Sequence, residues 1–307
     1  MKIERFAFAS RDARTTLAAY RLEPESPCGM LQISHGMCEY FLRYEGFARY
    51  LAQQGWIVFG HDHLGHGNSA PDAADLGFTA SGGGADFLIE DLHELSLLMK
   101  QRHPTLPLIL FGHSMGSFIA RAAVERYGAD YRAAVYCGTG GPETPAGAGR
   151  ALASLMMCFC GERHRSRLLR SIAFAGYNKK YPKPCDKNAW LTRDTAVVDR
   201  YREDPFCAYT FTLRAYHDLF GLVQRVSRRD WAARCPCDLP ILLTAGEMDP
   251  VGAWGAGVRE VDRRLRAAGV RDVTLMLYPE MRHEILNELG RERVWKDILQ
   301  WIESKRK

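Results

Sequence analysis

Three residue types that cooperate in covalent catalysis follow one another along the chain. Ser114 lies at the centre of Gly112-His113-Ser114-Met115-Gly116, Asp249 follows in Gly246-Glu247-Met248-Asp249-Pro250, and His283 is the one histidine C-terminal to that aspartate. A serine hydroxyl is a poor nucleophile at neutral pH, so it needs a histidine to take its proton and a carboxylate to orient that histidine. With these two partners, Ser114 could attack the carbonyl carbon of an acyl group.

The serine needs a sharp turn, and the surrounding sequence provides one. Leu108 to Phe111 is a short apolar run typical of a strand buried on both faces, and apolar residues recur at helical spacing from Met115 onward. Glycines two residues before and after Ser114 leave room for the backbone to turn. We expect a strand that runs into a helix, with Ser114 strained at the corner and its Oγ exposed at the end of the sheet.

The acid and the histidine are each predicted just beyond the carboxyl end of a strand. Residues 240–244 and 273–278 have strand patterns, and Asp249 and His283 follow them. Glu247, two residues from Asp249, is the competing acid. The alternative for His283 is a structural role as a surface histidine at the start of a helix.

Acyl transfer also needs donors for the oxyanion, and each donor contributes about 3 kcal/mol. The backbone N–H of Met115, directly after the serine, is one candidate. The second is the N–H of Met37, in the loop that follows a strand ending at Ile33. His35 in the same loop is interpreted as a scaffold residue.

The elements that must position these residues alternate between strand and helix. The chain reads as an edge hairpin over 2–9 and 15–22, then as strands at 30–33, 56–59, 108–111, 133–137, 240–244 and 273–278, with helices at 40–54, 87–101, from Met115, 258–268 and 291–304. This alternation predicts an α/β fold with a mostly parallel central sheet and helices on both faces.

The alternation stops for about ninety residues after the sixth core strand. We interpret residues 142–234 as a helical cap that covers the serine, inserted between core segments 1–141 and 235–307. From Arg150 to Arg234 the chain has 17 Lys/Arg and 8 Asp/Glu, whereas the rest has 24 and 28. The alternative is a packed helical layer with no role in substrate binding.

Length and composition narrow the class of protein. A chain of 307 residues can bury a large core, and no stretch approaches the ~20 apolar residues that span a bilayer. The start, Met1 to Phe6, does not resemble a signal peptide, so we expect a cytoplasmic protein whose 9 cysteines are reduced. The pairs Cys158-x-Cys160 and Cys235-x-Cys237 do not have a usual zinc spacing.

A cluster of histidines from His61 to His66 suggests a competing class, a metal-dependent hydrolase. Gly65 stands where the paired-zinc pattern has an aspartate, and no histidine cluster follows downstream. We instead expect a tight loop in which Gly65 and Gly67 allow the turn and Asp62 accepts backbone hydrogen bonds. Neither a metal nor a cofactor is expected.

Five motifs in order extend this interpretation to a family. The chain contains Ser34-His35-Gly36-Met37-Cys38-Glu39 with Arg43-Tyr44, Asp62-His63-Leu64-Gly65-His66-Gly67-Asn68-Ser69, Gly112-His113-Ser114-Met115-Gly116, Gly246-Glu247-Met248-Asp249-Pro250-Val251 and Arg282-His283-Glu284-Ile285-Leu286-Asn287-Glu288. In these it resembles the α/β-hydrolase superfamily, and within it the monoacylglycerol lipase and lysophospholipase-like serine hydrolases. The resemblance implies a metal-free serine hydrolase with a cap after the sixth core strand, acting on carboxylic esters of medium or long acyl chains.

The triad leaves other reactions open, because an acyl-enzyme forms from an ester, a thioester or an amide alike. A peptidase, a thioesterase, a haloperoxidase and a non-catalytic binding module are the alternatives.

A small lipid or ester is the expected substrate. Nucleic acid is not expected as a partner, because stacking aromatics and a recognised binding motif are missing. An anionic membrane surface is a candidate partner for the basic cap, whose alternative is a solvated face with no ligand. The sequence does not specify an oligomeric state.

Overall fold

An eight-stranded sheet forms the centre of the structure, with strand order β1-β2-β4-β3-β5-β6-β7-β8. The computed structural model describes residues 1–141, 145–183 and 185–306. The strands are β1 Glu4–Ala9, β2 Thr16–Leu22, β3 Gly29–Ser34, β4 Trp56–His61, β5 Leu108–His113, β6 Ala133–Cys137, β7 Ile241–Gly246 and β8 Val273–Tyr278.

The sheet is mostly parallel, as predicted. The hairpin of β1 and β2 is antiparallel and lies at one edge, and β2 also pairs antiparallel with β4. From β4 to β8 every neighbouring pair is parallel. Because Ser34 pairs with Gly112 at the ends of β3 and β5, the loop after β3 begins beside the turn that carries Ser114.

Helices cover both faces of the sheet. One layer contains α2 Gly84–Arg102, α3 Met115–Tyr127 and α8 Ala256–Ala267, and α7 Leu213–Ser227 packs on α2 and α3. The other layer contains α1 Glu45–Gln53 and α9 Arg291–Ser304. Successive strand residues alternate between the two cores, since Leu108 and Leu110 of β5 pack in the first and Ile109 and Phe111 in the second. Burial on both faces explains why these strands read as unbroken apolar runs.

The predicted helix over 40–54 is wrong in its first turn. Phe41–Tyr44 is a 3₁₀ helix, and α1 begins only at Glu45. The tighter turn points the Phe41 amide at Asp62, whose Oδ1 accepts it at 2.9 Å. Arg43 in this 3₁₀ helix forms an ion pair with Glu39, which lies four residues earlier in the chain.

The helical insertion follows the sixth strand, as predicted. Between β6 and β7 the chain forms α4 Ala146–Cys160, α5 Arg167–Ala173, α6 Thr195–Glu203 and α7. Helix α7 contacts α2 and α3 of the core as well as α4. The boundaries of the cap stay a prediction; its first residue, at position 142, and the last residue of the chain, at 307, lie outside the described residues.

Within the described ranges, none of the helices combines the length and the apolar character needed to cross a membrane.

Candidate active site

Ser114 occupies a strained turn between β5 and α3, as the sequence predicts. Its φ of 53° and ψ of −119° lie where residues with a Cβ are rarely found. The flanking glycines leave room for it: a Cβ at Gly112 would lie 2.3 Å from the Gly116 carbonyl oxygen, and one at Gly116 would lie 2.0 Å from the Ser34 carbonyl oxygen. The Ser114 amide donates to the Cys137 carbonyl at 3.0 Å, so the strained turn is held by β6.

The two amides predicted to stabilise an oxyanion lie at the start of α3 and in the loop after β3, on either side of Ser114. Met115 is the first residue of α3, and Met37 follows Gly36, where an added Cβ would lie 3.1 Å from Ser114 Cβ. In the described part of the chain, neither the Met37 nor the Met115 amide donates a hydrogen bond. Both N–H groups are thus available to a substrate oxygen.

Asp249 and His283 are brought together at the ends of β7 and β8. His283 Nδ1 lies 2.9 Å from Asp249 Oδ2, and both side chains are buried. Asp249 Oδ1 accepts the Val251 amide at 2.8 Å, which fixes the carboxylate. Glu247, the competing acid, instead pairs with Arg259 at the surface. A carboxylate on Nδ1 keeps the proton on that nitrogen and leaves Nε2 as the basic one.

His283 packs against His113, the residue that precedes Ser114. The His113 ring, next to Ser114 in sequence, lies 4.8 Å from the His283 ring between centroids, and its Nε2 is 3.3 Å from the His283 carbonyl oxygen. Within the described residues, Ser114 Oγ makes no hydrogen bond to His283. Such bonds are often long in a free enzyme and shorten when substrate binds.

A buried network of charges surrounds these residues. Glu39 accepts the Gly36 amide at 2.5 Å and the Tyr44 hydroxyl at 2.6 Å on one oxygen, and Arg43 at 2.7 Å on the other. Arg43 also makes a bidentate pair with Glu284, at 2.8 and 2.7 Å. The network joins the Met37 loop to the residue that follows His283.

Electrostatics in this network favour its charged forms. Burial alone would raise the pKa of Glu39, but hydrogen bonding to His113 and the charges of Arg43 and His113 outweigh it and lower that pKa. Burial alone would lower the pKa of His113, but its hydrogen bond to Glu39 and the Glu39 charge raise it. The ring nitrogens of His113 face the Tyr44 hydroxyl, Glu39 and the His283 carbonyl, which suits an imidazolium with two donors.

The histidine loop after β4 is a buried scaffold, as expected. Asp62 accepts the amides of Phe41 and Asn68, and Gly65 and Gly67 have φ of 70° and 47°. His35 accepts the His63 amide on Nε2 at 2.9 Å, so its Nδ1 carries the proton and donates to the Gly36 carbonyl.

Burial also keeps the rings of this loop neutral. It lowers the pKa of His61 and of His66 to about 3 in each case. The described side chains include no group of three or more histidines, cysteines or acids arranged to hold a metal ion.

Sequence analysis missed the pairing of Arg43 with Glu284 and the contact of Trp190 with His283. Arg43 and Glu284 each belong to one of the five sequence motifs, and their opposite charges were the one indication that they could pair. The sequence gives no comparable indication for Trp190, because it lies in the insertion, outside those motifs. Only the folded chain brings its ring to the His283 ring, with 5.0 Å between the centroids.

The chain is similar to known proteins over most of its length. Residues 25–290 match the profile of the family Hydrolase_4, described as serine aminopeptidase, S33. Over 279 residues the chain is 29% identical to the monoacylglycerol lipase of Mycolicibacterium smegmatis (strain ATCC 700084 / mc(2)155), covering 91% of this chain and 89% of that protein. It is 27% identical over 305 residues to the monoglyceride lipase of Homo sapiens, covering 96% and 88%.

A solved structure extends the likeness to three dimensions. A thermostable carboxyl esterase from Bacillus coagulans, in complex with glycerol, superposes with a TM-score of 0.94 at 28% identity, covering 100% of both chains.

Proposed function

Since the chain belongs to the Hydrolase_4 family and has the α/β-hydrolase fold of the monoacylglycerol lipases, we propose that it cleaves carboxylic esters of medium or long acyl chains through an acyl-enzyme. The observation that carries the proposal is the buried Asp249–His283 hydrogen bond beside the strained Ser114. The proposed roles are nucleophile for Ser114, base for His283 and orienting carboxylate for Asp249.

The reaction proceeds in two halves. In the first, His283 Nε2 takes the Ser114 proton as Oγ attacks the ester carbonyl, and the amides of Met37 and Met115 donate to the oxyanion. The tetrahedral intermediate then collapses: the bond to the alcohol oxygen breaks, His283 protonates the departing alcohol, and the acyl group remains on Ser114. In the second half, water gives its proton to His283, attacks the acyl-enzyme and releases the acid, and Ser114 regains its proton.

Esters are favoured over amides for two reasons. The relatives named above are a monoacylglycerol lipase, a monoglyceride lipase and a carboxyl esterase, the last solved with glycerol. An ester also has the better leaving group. The family description names an aminopeptidase, so amide hydrolysis is the second candidate. A panel that includes aminoacyl p-nitroanilides distinguishes the two.

The test is hydrolysis of p-nitrophenyl esters from acetate to palmitate, and of monoacylglycerol and lysophospholipid, with and without chelator. We expect chelator-insensitive activity that peaks at medium or long chains. Ser114→Ala should lower kcat by roughly 10⁴ to 10⁶-fold, because the nucleophile is removed. Ser171→Ala, at an exposed serine of α5, is the matched control and should retain wild-type activity.

Each contrary result has a definite meaning. Turnover by Ser114→Ala equal to that of the wild type would remove Ser114 from the mechanism. Hydrolysis of the anilides without hydrolysis of esters would replace the esterase with a peptidase. Loss of activity on chelation would require a metal-dependent reaction.

We further propose that the insertion contacts an anionic membrane surface. Leu155 and Phe159 on α4, and Leu168 and Ile172 on α5, are exposed, with Phe159 at 83%. Each pair is spaced by four residues and therefore shares one side of its helix, and α4 contacts α5. We call these four residues the cap apolar face. Arg163, Arg165, Arg167 and Arg170 lie between or beside them in the chain, and Arg163 and Arg167 are exposed, so basic charge borders the face as anionic lipid would require.

A further inference from the structure

Trp190, in the insertion between α5 and α6, covers the ring of His283. The two ring centroids are 5.0 Å apart and the planes are tilted by 41°. His283 is only 2% exposed, whereas Trp190 is partly exposed, and the indole covers part of the imidazole surface.

The backbone around Trp190 also frames the histidine. The His283 amide donates to the Trp190 carbonyl at 3.2 Å, and the Glu284 amide donates to the Leu191 carbonyl at 2.7 Å. Arg282 donates to the Thr192 carbonyl at 3.2 Å. Three consecutive residues around His283 thus bond to one short segment of the insertion, 190–192.

Other aromatic residues of the insertion hold the indole in place. Phe174 and Tyr177 pack against it, with ring centroids 5.7 and 5.1 Å from the Trp190 ring. Tyr181 follows in the same stretch and donates from its hydroxyl to the Met248 carbonyl at 2.7 Å, next to Asp249. Tyr181 is therefore fastened to the loop of the acid, and residues 190–192 are fastened to the loop of the histidine.

We infer that Trp190 is a positioning residue for His283, which fixes the plane of the imidazole and shields its hydrogen bond to Asp249 from water. This inference rests on the proposed function in so far as it assigns His283 the role of base. One hydrogen bond at Nδ1 leaves the imidazole free to tilt about that bond, whereas a packed indole removes this freedom. Proton transfer depends steeply on such alignment, and a misplacement of about 1 Å can cost about 100-fold in rate.

The test compares Trp190→Ala, Trp190→Leu and Trp190→Phe on p-nitrophenyl acetate, a substrate with too short an acyl group to need a deep pocket. For Trp190→Ala we expect kcat to fall by roughly 10- to 100-fold with KM changed much less. Trp190→Phe should recover most of kcat, because a ring is again packed on the imidazole. Trp190→Leu keeps much of the apolar volume but lacks the ring, so it should behave as Trp190→Ala does. It replaces the alanine variant in the test if that variant does not fold.

A second readout needs no turnover. The proton on His283 Nδ1, hydrogen-bonded to Asp249, gives a far-downfield proton NMR resonance, and its exchange with water should be roughly tenfold faster in Trp190→Ala and Trp190→Leu than in the wild type or Trp190→Phe. Trp301→Ala is the matched control: Trp301 is buried and bonds Thr274 at the opposite end of β8. It should lower stability while leaving kcat and the exchange rate unchanged.

The inference is overturned if the Trp190 variants show the kcat and the exchange rate of Trp301→Ala. It is also overturned if a loss of activity appears only in KM, since that would make Trp190 a substrate contact. If Ser114→Ala remains active, the proposed function fails, but the exchange rate still reports whether Trp190 shields the Asp249–His283 bond.

Discussion

Close packing at the turn leaves no room for a side chain at Gly116. A Cβ there would lie 2.0 Å from the Ser34 carbonyl oxygen and 2.6 Å from that of His35, and both are backbone atoms. Neither can move without distorting the end of β3 and the loop that begins the oxyanion site. We expect Gly116→Ala to lower the free energy of unfolding by about 2 kcal/mol or more, measured by urea denaturation, and to abolish ester hydrolysis.

Gly221 provides the matched control in another helix. A Cβ there would meet only Arg150 Cζ at 3.6 Å, which is an ordinary contact with a flexible side chain. Gly221→Ala in α7 should therefore raise the free energy of unfolding by about 0.5–1 kcal/mol, because alanine is the better helix former. Equal unfolding free energies for the two variants would contradict the close approach of α3 to β3.

Residue types and their order along the chain were enough to predict that Ser114, Asp249 and His283 lie at one edge of the sheet. Each follows a predicted strand, and the carboxyl ends of parallel strands meet at that edge. They could not predict the Arg43–Glu284 pair, whose members are 241 residues apart. With 41 basic and 36 acidic residues in the chain, charge alone leaves many partners open. Likewise, the local sequence does not mark Trp190 among the 6 tryptophans, since only the folded insertion brings it to His283.

At the scale of elements, Asp91 fastens α2 to the turn of the β1–β2 hairpin. Its carboxyl accepts the Ser10 hydroxyl at 2.8 Å and the Arg11 amide at 2.6 Å. Burial raises the pKa of Asp91 to about 7, against 3.8 for a free side chain, and the two hydrogen bonds only partly offset this effect. Between those values the folded chain binds a proton that the unfolded chain has lost, so stability must fall as the pH rises toward 7.

We expect the wild type to lose roughly 1.5 to 2 kcal/mol of unfolding free energy between pH 5.5 and 8 through this group, most of it below pH 7. In Asp91→Asn that loss should be absent. The measurement is urea denaturation of both proteins at pH 5.5, 6.2, 7 and 8. The unfolding free energy of the wild type should fall relative to that of Asp91→Asn as the pH rises, and this change should be nearly complete at pH 8.

Asp12→Asn is the control, because the pKa of Asp12 moves the other way. Burial would raise that pKa, but hydrogen bonds from Thr15 and Arg14 lower it. The stabilisation that ionised Asp12 provides is complete above the ordinary aspartate pKa and is lost only in stronger acid. From pH 5.5 to 8, the unfolding free energy of Asp12→Asn should therefore change with pH as that of the wild type does. Parallel profiles for wild type and Asp91→Asn would mean that Asp91 ionises at an ordinary pH.

The pattern of elements was predictable wherever strands are buried on both faces, as in β3 to β7, because apolar runs there alternate with helical patterns. It was less predictable at Phe41–Tyr44, where hydrogen bonding to Asp62 selects a 3₁₀ turn. The helices α4 and α5 had no sequence assignment of their own, and many of their apolar residues are exposed. Hydrophobic periodicity predicts a helix only where one face is covered.

At the scale of the whole molecule, the basic charge and the exposed apolar side chains coincide in the insertion. Arg163 pairs with Asp75, and Arg165 donates to backbone carbonyls, so these two hold the insertion to the loop after β4. Arg167 is exposed beside Leu168 and forms no ion pair with any described residue. A cap apolar face with arginines at its border suits the interface of a bilayer that carries anionic lipid.

The cap apolar face predicts binding to vesicles, measured by co-sedimentation with liposomes of phosphatidylcholine alone or with phosphatidylglycerol added. Binding should be stronger with phosphatidylglycerol and should weaken as salt screens the arginines. Leu155→Ser should reduce the partition coefficient roughly tenfold or more on anionic liposomes, because about 2 kcal/mol of apolar burial is lost.

Leu289→Ser is the matched control, since Leu289 is 52% exposed against 58% for Leu155 but lies outside the insertion. If the two variants bind equally well, the cap apolar face does not enter the bilayer. If Leu155→Ser weakens binding but added phosphatidylglycerol has no effect, the face is a hydrophobic contact and the basic residues serve only to solvate the insertion. Weaker binding together with a dependence on anionic lipid, in contrast, would show that apolar burial and basic charge act together to hold the insertion against an anionic membrane.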